Sequence, residues 1–372
     1  PHKPCLTVRS CSARRVGGFE VADGVLDSGE VVGQHLRNAI RVGRVAQRTV
    51  EHAAPAVRAR EAALELGVSE AELIDGSPHA QRLAGDWGAL IEALPAVGPV
   101  MALTRNDTVV IEKTGPVEAV EIYRGHGMGQ VVGSQIDLRL FLRHWVHGLA
   151  VSEPVRSGSR DSLQFFDAQG VAVHKVYRVK DTDATVWSHL VERCRDPDPA
   201  VLRVESSAPS AASVADDAID REALRDAWQG MANTHEFHGL LRRFGLERRQ
   251  ALRLAGADLA QPVARDSYRP LLERARDQCL AMMLFVGNHG CIQIHTGPVC
   301  RLETVGHWLN ILDPGFNLHL MEPAVREAWI VRKPTEQGVV TSLECFDGRG
   351  ELVLQCFGAR KGGAAESSAW RE

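Results

Sequence analysis

The spacing of hydrophobic residues changes from helical to alternating within the first half of the chain. Residues 58–66 and 85–93 carry apolar side chains at helical spacing, and Ser69 with Glu72 matches a capping box that predicts another helix start. From Val100 onward, hydrophobic and polar residues alternate, which predicts short strands. We place these strands at residues 101–103, 108–112, 117–122, 138–142, 162–166 and 171–179. Helices resume at Arg221 and strands at Met282, so the pattern indicates an α+β fold.

The same order of elements occurs twice because the sequence itself is duplicated. Ser162-Leu-Gln-Phe-Phe-Asp-Ala-Gln-Gly returns 180 positions later as Ser342-Leu-Glu-Cys-Phe-Asp-Gly-Arg-Gly, and both copies end in a glycine that predicts a hairpin turn. Lys113-Thr-Gly-Pro-Val returns 182 positions later as His295-Thr-Gly-Pro-Val. We therefore predict a tandem duplication in which each half has helices followed by an antiparallel β-meander sheet. A ligand cleft is expected between the halves.

Shifts in composition divide the chain into four parts. Residues 1–55 have weak periodicity and predict a leader of uncertain order, and residues 56–203 form the first repeat. Residues 204–220 are rich in Ser, Ala, Pro and Asp, which predicts a linker, and residues 221–372 form the second repeat. A chain of 372 residues is long enough for two domains with substantial cores.

The overall charge and cysteine pattern exclude several classes of partner. A net charge of −4 argues against nucleic acid as the main partner, because no basic excess is present to neutralise phosphates. No run of 18 apolar residues is present, so we expect no membrane insertion, and the N-terminus lacks the apolar core of a secretory signal. The eight cysteines include no CxxC pair, which makes a reducing, cytoplasmic location the simplest expectation.

Two histidines mark the start of a predicted helix in the second half. Asn233 and Glu236 are spaced as in a capping box, and the stripe formed by Phe237, Leu240, Leu241 and Phe244 predicts one apolar helix face. His235 and His238 then lie near the helix N-terminus, where the dipole favours the neutral imidazole that a metal ligand must be. Spacing alone also fits surface histidines beside a core stripe. The pair is three residues apart, whereas a zinc-protease motif needs four.

Several arginine and lysine residues are candidates for contacts with an anionic ligand. Arg139 lies between apolar neighbours in a predicted strand, and its duplicate position holds His319. It either pairs with Asp137, extends to solvent, or places a fixed positive charge in the cleft. In the second half, Arg248, Lys333 and Arg360 come from three separate segments and would supply donors for two ligand carboxylates. The alternative is that these charges belong to solvated faces.

Eight short segments, in order along the chain, carry a resemblance to a known family. They are Leu103-Thr-Arg-Asn, Ile136-Asp-Leu-Arg-Leu-Phe, Ser162-Leu-Gln-Phe-Phe-Asp, Val173-His-Lys-Val-Tyr, Thr234-His, Phe285-Val-Gly-Asn, Trp329-Ile-Val-Arg-Lys-Pro-Thr and Thr341-Ser-Leu-Glu. Together they resemble the hemin-degrading factor family, the HemS/HmuS-type cytoplasmic haem-handling proteins of Gram-negative bacteria. The resemblance runs from about residue 57 to the C-terminus and leaves the first fifty or so residues uncovered.

The resemblance implies one haem per chain, bound in the cleft between the halves. It implies that His235 ligates the iron, that His238 is a weaker alternative, and that Arg139 approaches the other side of the iron. From its position in an apolar strand and from His319 at the duplicate position, we predict that Arg139 is this distal residue and not a structural ion-pair partner. Further residues matched to the pocket or to the propionates are Arg248, Lys333, Gln355, Arg360, Phe141 and Phe285. Phe357 stands where family members commonly have tyrosine, so one hydroxyl donor is missing.

Two functions are consistent with such a site. The first is a haem carrier that accepts imported haem and traffics or stores it for iron acquisition, with a haem-uptake transporter or a downstream haem oxygenase as its partners. The second is an enzyme that opens the porphyrin ring with oxygen and an external reductant. The segment Gly125-His-Gly-Met-Gly lacks the spacing of a dinucleotide fingerprint, so any reductant must come from elsewhere. The carrier is the favoured interpretation.

Overall fold

The computed structural model describes residues 59–155, 158–206, 214–360 and 365–372. The predicted leader at residues 1–55 and part of the predicted linker lie outside the described residues. Within the described ranges the α-helices are α1 (Ala59–Leu66), α2 (Glu70–Asp75), α3 (Trp87–Ala93), α4 (Ala184–Arg193), α5 (Arg221–Gln229), α6 (Glu236–Phe244), α7 (Arg248–Ala255), α8 (Tyr268–Asp277) and α9 (Ser368–Arg371). None of these helices is long and apolar enough to cross a membrane.

The described residues contain eighteen strands. In the first half they are β1 (Ala80–Arg82), β2 (Val100–Arg105), β3 (Val109–Gly115), β4 (Val120–Tyr123), β5 (Met128–Val132), β6 (Asp137–Leu140), β7 (His147–Val155), β8 (Gly158–Phe166) and β9 (Ala172–Arg178). In the second half they are β10 (Ala260–Val263), β11 (Met282–Gly287), β12 (Cys291–Gly297), β13 (Leu302–Val305), β14 (Trp308–Asp313), β15 (Phe316–Met321), β16 (Glu327–Thr335), β17 (Gly338–Phe346) and β18 (Leu352–Gly358).

Local signals in the sequence explain many of the element ends. Ser69 and Glu72 form the predicted capping box at the start of α2. The predicted hairpin turns are present, and Gly170 and Gly350 take φ values of 73° and 84° that favour glycine. The sequence pattern missed β7, because its buried run of Leu, Ala and Val does not alternate in polarity.

Two nine-stranded antiparallel sheets form the body of the fold. The first has the order β1-β7-β8-β9-β2-β3-β15-β14-β13, and the second has the order β10-β16-β17-β18-β11-β12-β6-β5-β4. The predicted α+β class and tandem duplication are confirmed. The halves also exchange strands: β4, β5 and β6 of the first half join the second sheet, whereas β13, β14 and β15 of the second half join the first sheet. Each sheet is therefore built from both halves.

The space between the two sheets is filled by apolar side chains. One core cluster joins Val109 and Ile111 of β3 with Leu284 of β11 and Cys345 of β17. The sheets are also linked by a duplicated pair of asparagines. Asn106 donates to the backbone carbonyls of Gly287 and Val353, and Asn288 donates to those of Arg105 and Val173. The two sheets thus meet in a packed core to which both halves contribute.

The outer face of the second sheet is only partly covered. Buried and half-buried residues alternate along β11, where Met282 and Leu284 are buried and Met283 and Phe285 are half-buried. Helices α5, α6 and α7 cover one end of this face, because Phe237 and Leu240 pack in one cluster with Trp329 of β16. Beyond these helices, the face carries half-buried side chains.

Candidate functional site

The start of α6 lies beside the uncovered part of the second sheet. His235 is the residue before α6, and the backbone N–H of His235 donates to Asn233 Oδ1 at 3.0 Å. The predicted capping box is not formed, because His235 and not Asn233 precedes the helix, and Asn233 donates to the Glu236 side chain, to Oε1 at 2.7 Å. The helix begins at Glu236, and His235 and His238 are both exposed at its first turn.

The electrostatic surroundings of His238 favour a neutral ring. Partial burial lowers its pKa, and the positive charges of Arg248, Arg242 and Lys333 lower it further, while Glu344 opposes them. A neutral imidazole has a free nitrogen lone pair, which is the form that binds a metal. The direction of the shift also places His238 close to the cations of α7 and β16.

A buried carboxylate collects four of the side chains around it. Glu344 of β17 is 0% exposed and accepts a two-pronged contact from Arg248 of α7, Nε to Oε2 at 2.6 Å and Nη2 to Oε1 at 2.7 Å. Lys333 Nζ donates to Oε1 at 2.8 Å, Gln355 Nε2 at 3.0 Å and Ser342 Oγ at 3.2 Å. We call these five residues the Glu344 cluster.

The charges within the Glu344 cluster hold one another in place. Burial raises the pKa of Glu344, but Arg248 and Lys333 outweigh it and hold that pKa far below its ordinary value. Burial lowers the pKa of Lys333 to about 8, while Glu344 acts in the opposite direction. At neutral pH the two cations and one anion leave a net charge of +1.

Aromatic rings surround the Glu344 cluster on the outer face. The ring of Phe237 lies 4.9 Å from the guanidinium of Arg248 and 4.8 Å from Lys333 Nζ. Phe357 lies 5.9 Å from the same ammonium and packs edge-to-face against Phe285, with ring centroids 5.1 Å apart. Because Phe285 and Phe357 are half-buried, their rings offer apolar area to a ligand on this face.

Strand register places Arg139 on the same face. Glu344 pairs with Gln355, Gln355 with Phe285, Phe285 with Ile294, and Ile294 with Asp137. Residues that pair directly across antiparallel strands share a face, and so do residues two apart on one strand. Arg139 therefore points to the side that carries the Glu344 cluster, three strands away from Gln355. This placement depends on the exchange of β6 into the second sheet.

Arg139 has a carboxylate partner. Its Nη1 donates to Asp137 and to the backbone carbonyl of Leu138, the latter at 3.0 Å. The expectation that Arg139 is not an ion-pair partner is therefore wrong, since two residues of one face that are two apart on a strand lie within reach of each other. The pair is partly exposed, so it does not bury the charge of Arg139.

Of the three cations predicted to form a rim, the structure brings two together on one carboxylate. Arg248 and Lys333 meet at Glu344, but Lys333 is only 3% exposed and lies under the face and not on its rim. Arg360 follows β18 and is half-buried, and its Nε is buried without a hydrogen-bond partner among the described residues.

Phe141, another predicted pocket residue, directly follows β6, and its N–H donates to the carbonyl of Gly290 at 3.0 Å.

Glu344 is the residue that the sequence interpretation overlooked. A signal was present, because a charged residue stands inside an apolar strand, the same feature that singled out Arg139. Its duplicate position holds Gln164, which is also buried. The first half has a different charged cluster, in which buried Glu70 accepts from Lys175 at 2.6 Å and Arg105 at 2.7 Å.

Comparison with known proteins gives consistent relatives over most of the chain. The model of the haemin-degrading HemS.ChuX domain matches twice, over residues 67–194 and 245–372. The hemin transport protein HmuS of Yersinia pestis is 41% identical over 341 residues, which are 90% of this chain and 96% of that protein.

Two solved structures are similar over their whole length. The heme-binding protein PhuS of Pseudomonas aeruginosa, in its holo form, is 46% identical with a TM-score of 0.87, covering 90% of this chain and 97% of that one. The heme degrading enzyme ChuS of Escherichia coli O157:H7 is 34% identical with a TM-score of 0.81, at the same coverage of 90% and 97%.

Proposed function

Because this chain belongs to the family of the haemin-degrading HemS.ChuX domain, we propose that it is a cytoplasmic haem-binding protein that accepts imported haem and carries it for iron acquisition. The observation that supports this most directly is that two cations and two half-buried aromatic rings meet on the outer face that the first turn of α6, next to His235, also contacts. Iron, propionates and a flat apolar macrocycle each need one of these chemistries.

Each part of the ligand has a matching group in this arrangement. His235 at the start of α6 would ligate the iron, and His238 one turn away is the alternative ligand. Phe285 and Phe357 would pack against the macrocycle. Arg248 would face a propionate with the buried ammonium of Lys333 behind it, and Arg139 would approach from the strand that the first half contributes. The bound haem supplies the iron chemistry, and these side chains orient it and limit its contact with water.

A haem titration tests the proposal. We expect the Soret band to shift and to saturate at one haem per chain, because among the described residues this set of groups comes together on the outer face of the second sheet alone. Two equivalent haems per chain, or no specific absorbance change, would contradict the proposed site. The salt dependence of the dissociation constant gives a second measure, since charge pairs with propionates weaken with ionic strength.

Ring opening is the second candidate, because a relative of 34% identity is a heme degrading enzyme. The experiment is anaerobic haem loading, followed by oxygen with ascorbate or with a NADPH-dependent reductase, with and without catalase. Loss of the Soret band with a defined tetrapyrrole product despite catalase would establish an enzyme. Loss only without catalase would indicate peroxide damage to a carrier, which is the result that the first proposal predicts.

A further inference from the structure

The Glu344 cluster contains a buried carboxylate, which a binding site made only of cations would not need. A buried carboxylate sits between the two cations assigned to the ligand, and both contact it at 2.6–2.8 Å. Arg248 uses Nε and Nη2 on Glu344, so its Nη1 hydrogens have no protein acceptor among the described residues. The side chain of Arg248 is 16% exposed, whereas Lys333 and Glu344 are fully enclosed. A ligand can therefore reach the cluster mainly through Arg248.

We infer that Glu344 is a positioning residue that holds Arg248 and Lys333 together as one preassembled site for a single ligand carboxylate. This inference rests on the proposed function and names how the same site recognises its ligand. The two-pronged contact fixes the plane of the guanidinium, so that its outer N–H groups point away from Glu344. The net charge of +1 complements one carboxylate and not two, so the second propionate of haem lies outside this cluster.

The charges around Lys333 explain why Glu344 is needed to hold Arg248 and Lys333 together. The charged or titratable groups near it are Glu344, Arg248 and His238, while Gln355 and Ser342 supply neutral donors to the same carboxylate. Without Glu344, burial and Arg248 would both act against the ammonium form of Lys333, and nothing would orient the two cations toward one point. A ligand carboxylate would then have to bring them together itself.

The test compares iron-free protoporphyrin IX with its dimethyl ester, which has the same ring without carboxylates. Binding is followed by porphyrin fluorescence, so the iron ligand does not contribute. We expect wild type to prefer the diacid by about tenfold or more, as for one shielded charge-assisted contact. In Glu344→Gln this preference should fall close to unity while binding of the diester stays within about twofold of wild type.

The first half provides matched controls. Glu70→Gln removes a buried carboxylate that is also held by one arginine and one lysine. Both partners belong to strands of the first sheet, so this substitution should leave the diacid preference unchanged. If Glu344→Gln does not fold, Ser342→Ala acts on the cluster only through Glu344 and should lower the preference about threefold, given one lost hydrogen bond. Ser162→Ala at the duplicate position is its control.

The possible outcomes separate the two proposals. Wild type that binds neither haem nor protoporphyrin IX would remove the proposed function. Wild type that binds haem but does not distinguish diacid from diester would overturn the carboxylate site alone. Folded Glu344→Gln with an unchanged preference, or with equal losses for diacid and diester, would show that Glu344 only supports the fold.

Discussion

At the scale of single residues, the candidate iron ligand is set by local chain geometry. Asn233 and Glu236 hold the backbone at the start of α6, and His235 follows directly from that arrangement. Partial burial and the cations of α6, α7 and β16 lower the pKa of nearby His238, so that residue can offer a neutral nitrogen.

The first prediction concerns His235. His235→Ala should shift the Soret maximum and weaken haem retention more than about tenfold, because a coordinate bond is lost. The measurement is the absorption spectrum of the loaded protein together with transfer of haem to an acceptor protein. His238→Ala is the matched control and should change both less. An unchanged spectrum in His235→Ala, and again in the double variant, would rule out the assignment.

The second prediction concerns Phe357, at the position where the family resemblance implies a tyrosine. The ring packs against Phe285 and near Lys333, so a hydroxyl added there would extend along the outer face. Phe357→Tyr should strengthen haem binding by at most ~1.5–3 kcal/mol, the worth of one hydrogen bond to a charged group. Haem dissociation rates measure the change. Phe285→Tyr is the control for a general effect of a hydroxyl, and equal gains in both variants would contradict the specific role.

At the scale of elements, β6 has two tasks. Leu138 and Leu140 face the core between the sheets, and Arg139 faces outward beside Asp137. The strand belongs to the first half but pairs with β12 of the second half. One face of β6 therefore packs into the core between the halves, and the opposite face contributes Arg139 to the candidate site.

The third prediction separates these tasks. Arg139→Ala should alter the distal coordination of the iron or the haem affinity while the melting temperature stays nearly constant, because a partly exposed ion pair contributes only ~0–1 kcal/mol. Absorption spectra of loaded protein and thermal unfolding of unloaded protein are the two measurements. Asp137→Asn removes the ion pair but keeps the arginine and should leave the spectrum unchanged. Unfolding of Arg139→Ala with a normal spectrum in the folded fraction would favour a structural role.

At the scale of the whole molecule, the junction of the sheets contains a buried histidine. His174 contacts Thr104 Oγ1 at 2.9 Å and lies near Cys291 of the other sheet. Complete burial lowers its pKa to about 3, so the ring stays neutral in the folded chain. In the unfolded chain the ring takes up a proton below its ordinary pKa of ~6.5. Its contribution to the free energy of unfolding is therefore full above pH ~6.5 and is lost as the pH falls toward 3.

The fourth prediction follows from this loss of stability at low pH. His174→Leu should make the free energy of unfolding less sensitive to acid between pH 6.5 and 3, by up to ~1.4 kcal/mol per pH unit. Leucine is the residue at the duplicate position, and Thr104 keeps its hydrogen bond to Gln293, so the core should accept the change. Denaturant unfolding at several pH values gives the slope. Replacement of exposed His79 by leucine is the control, and an unchanged slope in His174→Leu would contradict the prediction.

Local and periodic features were readable from the sequence alone. The capping box of α2 and the hairpin glycines Gly170 and Gly350 depend on residues close together in the chain, and both features are present. The duplication was equally clear, because it needs only a comparison of the chain with itself. Most candidate site residues came from the family resemblance, since their types and spacing alone also fit solvated faces.

Only the tertiary structure decided which strands pair across the halves and what surrounds each charge. Strand β12 is the duplicate of β3, and β15 is the duplicate of β6, so their polarity patterns fit pairing within a half as well as between halves. Glu344, Arg248 and Lys333 come from β17, α7 and β16 and meet only after folding. Pairing and burial depend on contacts between residues far apart in the chain, which no local pattern in the sequence encodes.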